Sequence, residues 1–295
     1  MRIVFFGTPD FAVPALEALA SAHDVALVVA QPDKPAGRGL KIQTPAIARL
    51  AHELRLPLAQ PARVRDVLAD VEALKPDVGV VVAYGKILPA VLLSIPEQGF
   101  LNVHASLLPK YRGAAPIQRA IANGETITGV TIMRVDEQLD HGPMLAAGSV
   151  PIGPDERTPE VSERLARLGA LTLLRTLDHI SPGVPQDHAE ATQAPKIEKS
   201  EGEIRWKDST ASIYNRFRAF DPWPGVFIGN LKLIDLRPAK RSGKPGTILS
   251  IDDGVTVATG DGAIKLLTLQ RAGRARMPAA EFARGAGWRV GAQIS

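Results

Sequence analysis

The sequence predicts an α/β protein in two parts, a Rossmann-like, mostly parallel sheet followed by a small OB-like β-barrel domain. Two patterns and one charge count lead to this. Through the first half, short apolar runs alternate with amphipathic stretches, the βαβ rhythm of a parallel sheet. After residue 204 the rhythm changes to short runs at 226–228, 231–236, 246–250, 254–258 and 263–270, separated by glycine turns. Charge divides at the same place. Residues 201–295 carry 15 Lys and Arg against 9 Asp and Glu, whereas residues 1–200 carry 20 against 22. A basic last third fits a polyanionic partner or a solvated basic surface. These shifts place a first domain at 1–185, a linker rich in proline and charge at 186–203, and the barrel at 204–295.

Taken in order, residues 2–6 read as a buried strand, followed by a turn at 7–10 and a helix over 13–20 with Pro14 in its first turn. A second strand at 24–30 completes a βαβ unit. Gly7 stands alone there, so the G-x-G-x-x-G dinucleotide pattern is absent. Residues 31–45 form a long loop with basic Lys34, Arg38 and Lys41, a length that usually marks function or disorder. Helices are predicted at 46–54 and 64–74. The run at 77–83 is apolar on both faces, as central parallel strands are. After a strand at 100–103 come a helix at 116–122, strands at 129–135 and 144–150, and a long helix over 158–179. In the last third an amphipathic helix at 209–220 ends at the Pro-rich break 221–225. A β-sandwich is the alternative to a barrel for the strands that follow.

The 295 residues are 45% hydrophobic, ample for packed cores, yet no run approaches the roughly 20 apolar residues that span a bilayer. The first residues look like a buried strand and lack the apolar stretch and cleavage site of a secretory signal. The absence of cysteine excludes disulfides, thiolate metal sites and a cysteine nucleophile, which fits a cytoplasmic protein. His23, His52, His179 and His188 show no ligand spacing, and no metal is expected.

Candidate chemistry concentrates in residues 99–121, GFLNVHASLLPKYRGAAPIQRAI. On a strand, residues two apart share a face, so Asn102 and His104 project together from its carboxyl end, where α/β folds place ligands. An amide beside an imidazole suits acyl transfer. Both can donate to a developing oxyanion, and the imidazole can also move a proton. A carboxylate to accept the nucleophile's proton is available at Asp136 or Asp140, and spacing in a loop favours neither. His141 either competes with His104 or is a surface residue. Leu107, Leu108, Ile87 and Leu88 can line an apolar slot or belong to the core, and Trp206 and Trp223 can stack on bases or be buried.

Six segments resemble the methionyl-tRNA formyltransferases nearly end to end: FFGTPDFAVPALEAL from Phe5, QPDKPAGRGLK from Gln31, VVVAYGKILP from Val80, NVHASLLPKYRGAAPIQRAI from Asn102, GVTIMRVDEQLDHGPML from Gly129 and RAFDPWPG from Arg218. The resemblance implies the formyltransferase fold. It also implies transfer of the formyl group of 10-formyltetrahydrofolate to initiator methionyl-tRNA for translation initiation. Carried onto this sequence, the catalytic trio falls on Asn102, His104 and Asp140, and the folate-contacting segment on Ser106, Leu107, Leu108 and Pro109. Arg38 matches a basic loop position near the tRNA acceptor end, with Lys34 and Lys41 beside it. Gln138 and His141 depart from the small residue and threonine frequent in the family, and both flank Asp140. A cytoplasmic monomer is expected. The competing expectations are a formyltransferase of amino-sugar nucleotides and a catalytically silent RNA-binding protein.

Overall fold

The computed structural model describes residues 1–36 and 41–294. The chain divides into two compact units. One comprises Met1–Pro116, Ile127–Pro151 and Ser162–Pro195, and the other Ile117–Thr126, Ile152–Val161 and Lys196–Ser295. The stretch 186–203, expected to be a linker, is thus shared between the units at residue 195.

The first unit opens with β1 (Arg2–Gly7), α1 (Val13–Ala22) and β2 (Asp24–Val29), the predicted βαβ unit. The loop expected over 31–45 contains a ribbon, β3 (Lys34–Ala36) paired antiparallel with β4 (Lys41–Gln43). Its base is tied by Asp33, whose carboxylate accepts from Thr44 Oγ1 at 3.0 Å and from Gln60 Nε2 at 2.9 Å. The chain continues through α2 (Ala46–Glu53), β5 (Leu58–Ala59), α3 (Leu68–Leu74), β6 (Val78–Val82), α4 (Ala90–Leu93) and β7 (Phe100–His104). Past Pro116 the helix α5 (Pro116–Ala122) belongs to the second unit; the first resumes with β8 (Ile127–Arg134) and β9 (Met144–Pro151) and, from Ser162 on, α6 (Thr158–Asp178).

The seven strands are ordered β5-β2-β1-β6-β7-β8-β9. Pairing is parallel from β5 to β7 and antiparallel from β7 to β9. Both faces are covered, which explains why β6, and β1 and β2 after the exposed Arg2 and Asp24 that open them, carry no charged or polar side chain. Ile3, Phe5, Val80, Leu101 and Val103 pack on one face with Leu16, Ile47 and Leu173 of the helices. Val4, Phe6 and Phe100 pack on the other with Val71, Tyr84 and Leu92. Alternation along β7 therefore puts Asn102 and His104 on the face of Phe100.

In the second unit α7 (Thr210–Ala219) is capped by Ser209, whose Oγ accepts from Ser212 N–H at 3.1 Å. Strands β10 (Val226–Ile228), β11 (Leu231–Ala239), β12 (Ile248–Ile251), β13 (Val255–Ala258), β14 (Ala263–Arg271) and β15 (Met277–Pro278) precede α8 (Ala279–Gly285). They form one antiparallel sheet along β10-β11-β14-β13-β12, with β15 on β14. Among the described residues β10 and β12 are not paired with each other, so the OB-like curl stays partly open. Trp206 is buried, whereas Trp223 is 54% exposed. No helix among the described residues is long and apolar enough to cross a membrane.

Candidate active site

Strand β7 is the last parallel strand before the sheet turns antiparallel, and it delivers two polar side chains at its carboxyl end. His104 is buried and Asn102 half-buried. His104 Nε2 lies 2.9 Å from the carbonyl oxygen of Tyr111. A carbonyl only accepts, so this nitrogen carries a hydrogen and donates. The other nitrogen, Nδ1, faces Asp140 Oδ1 at 3.6 Å. Asn102 Nδ2 donates to the same Oδ1 at 3.5 Å. Asn102, His104 and Asp140 thus converge, although 36 residues separate His104 from Asp140 along the chain.

Asp140 sits in the left-handed backbone region, with φ of 50°. Aspartate tolerates this better than most residues, at a cost of about 1 kcal/mol. Gly113 N–H donates to its Oδ2 at 2.8 Å. At Gly113, φ is 123°, and a Cβ would come within 2.7 Å of the Ala194 carbonyl oxygen, so only glycine presents its N–H there. The rival carboxylate, Asp136, is engaged elsewhere: it accepts from His141 Nδ1 at 2.8 Å and from Gln138 N–H at 2.9 Å. His141 is therefore no free surface residue, and its ring stacks on His188 with centroids 4.0 Å apart.

The 106–109 segment leaves β7 as a braced loop. Thr131, fully buried and directly opposite His104 on β8, donates its hydroxyl to Ser106 O at 2.7 Å and accepts from Leu108 N–H at 3.1 Å. Ser106 is itself fully buried and donates to Lys110 O at 2.6 Å. Leu108 is buried and Leu107 half-buried, packed where a side chain at Gly129 would meet it. Ile87, expected in an apolar slot or the core, is 82% exposed, because it follows the turn at Gly85 instead of continuing β6.

Of the basic loop residues, Lys34 is exposed and its Nζ lies 3.3 Å from Gln31 Oε1. Arg38 lies outside the described residues, and only the backbone of Lys41 is described, as the first residue of β4. Among the described residues no group of three or more acidic or histidine side chains is placed to hold a metal ion.

Residues that escaped sequence reasoning surround the trio. Tyr111, at φ 62°, turns its carbonyl onto His104. Thr192 Oγ1 accepts from Tyr111 N–H at 2.9 Å, and residues 192–194 run beside 112–115 through three backbone hydrogen bonds of 2.6–3.1 Å. Gln186, 5% exposed, donates to Asp140 O at 3.0 Å and to Gly142 O at 2.8 Å. Only the block spelling Tyr111-Arg112-Gly113 hinted at these partners. Nothing in a proline-rich segment marked Gln186 or Thr192.

The fold and this convergence of amide, imidazole and carboxylate are those of a group-transfer enzyme. Residues 1–177 match the formyl transferase family and residues 196–287 match the formyl transferase C-terminal domain. The chain belongs to the formyl transferase family. It is 46% identical to the methionyl-tRNA formyltransferase of Thermus thermophilus, over 100% of this chain and 99% of that protein. It is 47% identical to that of Acidiphilium cryptum over the whole of both, and 46% identical to that of Deinococcus radiodurans over 99% and 95%. Among solved structures, an N-formyltransferase from Helicobacter canadensis in complex with folinic acid and dTDP-3-aminofucose superposes with a TM-score of 0.71. At 18% identity over 90% of this chain and 98% of that one, it bears out the fold alone. HypX from Aquifex aeolicus, crystallised with tetrahydrofolic acid, gives 0.64 at 20% identity over 96% of this chain and 47% of its own.

Proposed function

We propose that this protein transfers the formyl group of 10-formyltetrahydrofolate to the free amino group of initiator methionyl-tRNA, acting as a cytoplasmic monomer. The observation that carries the chemistry is the meeting of Asn102, His104 and Asp140 at the end of β7. The acceptor follows from identity of 45–47% to methionyl-tRNA formyltransferases along the whole chain.

The donor supplies an electrophilic formyl carbon, and the residues present suit it. A half-buried amide lies beside a loop carrying Leu107 and Leu108, the mix of apolar wall and few polar groups that ligand sites use. Ser106, Leu107, Leu108 and Pro109 hold the folate in this scheme. The Asn102 amide donates to the negative charge that develops on the formyl oxygen, a role worth about 3–4 kcal/mol. His104, with Nε2 committed to Tyr111, has Nδ1 left for the reacting side. In the form that donates there it carries hydrogen on both nitrogens. The amine adds to the formyl carbon to give the oxyanion, and Asp140 accepts the proton that the amine must lose, directly or through water. The oxyanion then collapses, breaking the bond from carbon to the folate nitrogen as that nitrogen takes up the proton. Lys34, Arg38 and Lys41 meet the tRNA near its acceptor end, and the basic C-terminal unit meets its backbone, so binding weakens steeply with salt.

The test is formyl transfer to charged initiator tRNA at low and high salt, for wild type beside His104→Ala and Arg38→Ala. Loss of turnover in the first and weaker tRNA binding in the second are expected. Transfer to an amino-sugar nucleotide and not to tRNA refutes the acceptor, and transfer to neither refutes the chemistry.

A further inference from the structure

We infer that Arg112 and Gln186 are positioning residues for Asp140, an inference that rests on the role proposed above for that carboxylate. Asp140 needs such help. Its side chain reaches Asn102 and His104 only because its backbone takes a left-handed conformation, in a loop whose neighbours Glu137, Gln138 and Leu139 are exposed. Gln186 grips the loop on both sides of the turn through the carbonyls of Asp140 and Gly142.

The direction of that amide is fixed by chemistry. Gln186 Oε1 accepts from Arg112 Nε at 3.1 Å and Nη2 at 2.6 Å, and a guanidinium has only donors. The oxygen must therefore face Arg112, and Nε2 must face the two carbonyls. Flipped, the amide would oppose donors with donors and acceptors with acceptors. Arg112 Nη2 also lies 2.8 Å from His188 Nδ1, which by the same reasoning is the bare nitrogen of a ring carrying its hydrogen on Nε2. His188 stacks on His141, and His141 donates to Asp136, so the contacts return to the start of the same loop.

Arg112 itself is 7% exposed and pairs with no carboxylate among the described residues. Burying a guanidinium against neutral acceptors is a costly way to hold a fold together. It is well suited to locking one amide in one orientation, since two of its donors converge on one oxygen. Its backbone, paired with Thr192 and Ala194, also carries the neighbouring Gly113 N–H onto Asp140 Oδ2. Arg112 and Gln186 thus hold the carboxylate from two sides without touching the reacting atoms.

The decisive variant is Gln186→Glu in the full chain. It keeps an acceptor for Arg112, now as an ion pair, and replaces the nitrogen that donates twice with a single oxygen facing two carbonyls. With saturating charged tRNA and 10-formyltetrahydrofolate, we expect kcat to fall about tenfold to a hundredfold. Both KM values should stay within about twofold, with kcat read at a temperature well below the variant's own thermal midpoint, which the lost hydrogen bonds lower. In an Asp140→Asn background, Gln186→Glu should cost nothing more in single-turnover transfer, because the group it positions is gone. An undiminished kcat, a change confined to KM, or an equal further loss in the Asp140→Asn background would overturn the inference. An Asp140→Asn enzyme as active as wild type would overturn the role of Asp140 itself, a different failure. If Gln186→Glu does not fold, Arg112→Lys, which keeps the charge but cannot bridge Oε1 with two donors, takes the same test.

Discussion

Thr131→Val isolates the bracing of the 106–109 loop. The substitution exchanges a hydroxyl for a methyl of nearly the same shape at a position with no exposure, so packing is preserved. Two hydrogen bonds disappear, the 2.7 Å donation to Ser106 O and the 3.1 Å bond from Leu108 N–H. A buried polar group stripped of its partner costs about 1–3 kcal/mol, so the variant should lose about 2–4 kcal/mol. Thr131→Ser is the control. It keeps both bonds and loses one methyl, about 1 kcal/mol. Urea unfolding, fitted to its first transition because two units need not unfold together, should rank wild type, Ser, then Val. The KM for the folate donor should rise several-fold in Val and little in Ser, since the loop proposed to hold the folate is loosened. Equal stability of the two variants would refute the claim that this hydroxyl holds the loop.

Three further outcomes follow from the geometry. Asn102→Ala should lower kcat about a hundred- to a thousandfold, with folate affinity by equilibrium dialysis unchanged. Gly113→Ala should cost about 1–3 kcal/mol by thermal melting for its φ of 123° alone, and more for the approach to Ala194 O, with activity falling as Asp140 loses its donor. Burial pushes the Tyr84 phenol above its ordinary 10.0, so the unfolded chain releases that proton first and stability drains as pH rises past about 10. Tyr84→Phe should flatten that alkaline decline in thermal midpoint. At neutral pH it should be neutral or stabilising by about 1 kcal/mol, because the buried hydroxyl has no partner among the described residues.

Much of the first unit was legible in the sequence because its signals are local. The apolar runs of β1, β2 and β6 mark strands buried on both faces, and the period of two along β7 is enough by itself to place Asn102 beside His104. Asp140 was legible only by resemblance. What separates it from Asp136 is a backbone turn, a glycine 27 residues earlier and a glutamine 46 residues later, none of which spacing within the loop encodes. The β3–β4 ribbon was hidden because its strands are three residues each and Pro35 sits in one of them. Trp223, weighed as core or stacking platform, lies between two prolines, Pro222 and Pro224, and stands out from the surface.

The stretch beside Asp140 also bears on when the enzyme becomes an enzyme. All seven strands of the first sheet are complete by Pro151, and the match to the N-terminal family domain ends at residue 177. Yet Gln186, Thr192 and Ala194, which anchor the turns around the trio, come later in the chain. In chain order the sheet is therefore complete before the residues that, in the scheme proposed above, hold the Asp140 carboxylate in place. Order of synthesis and order of assembly of the site run the same way, and the aim of one carboxylate rests on a segment that adds no strand to the sheet.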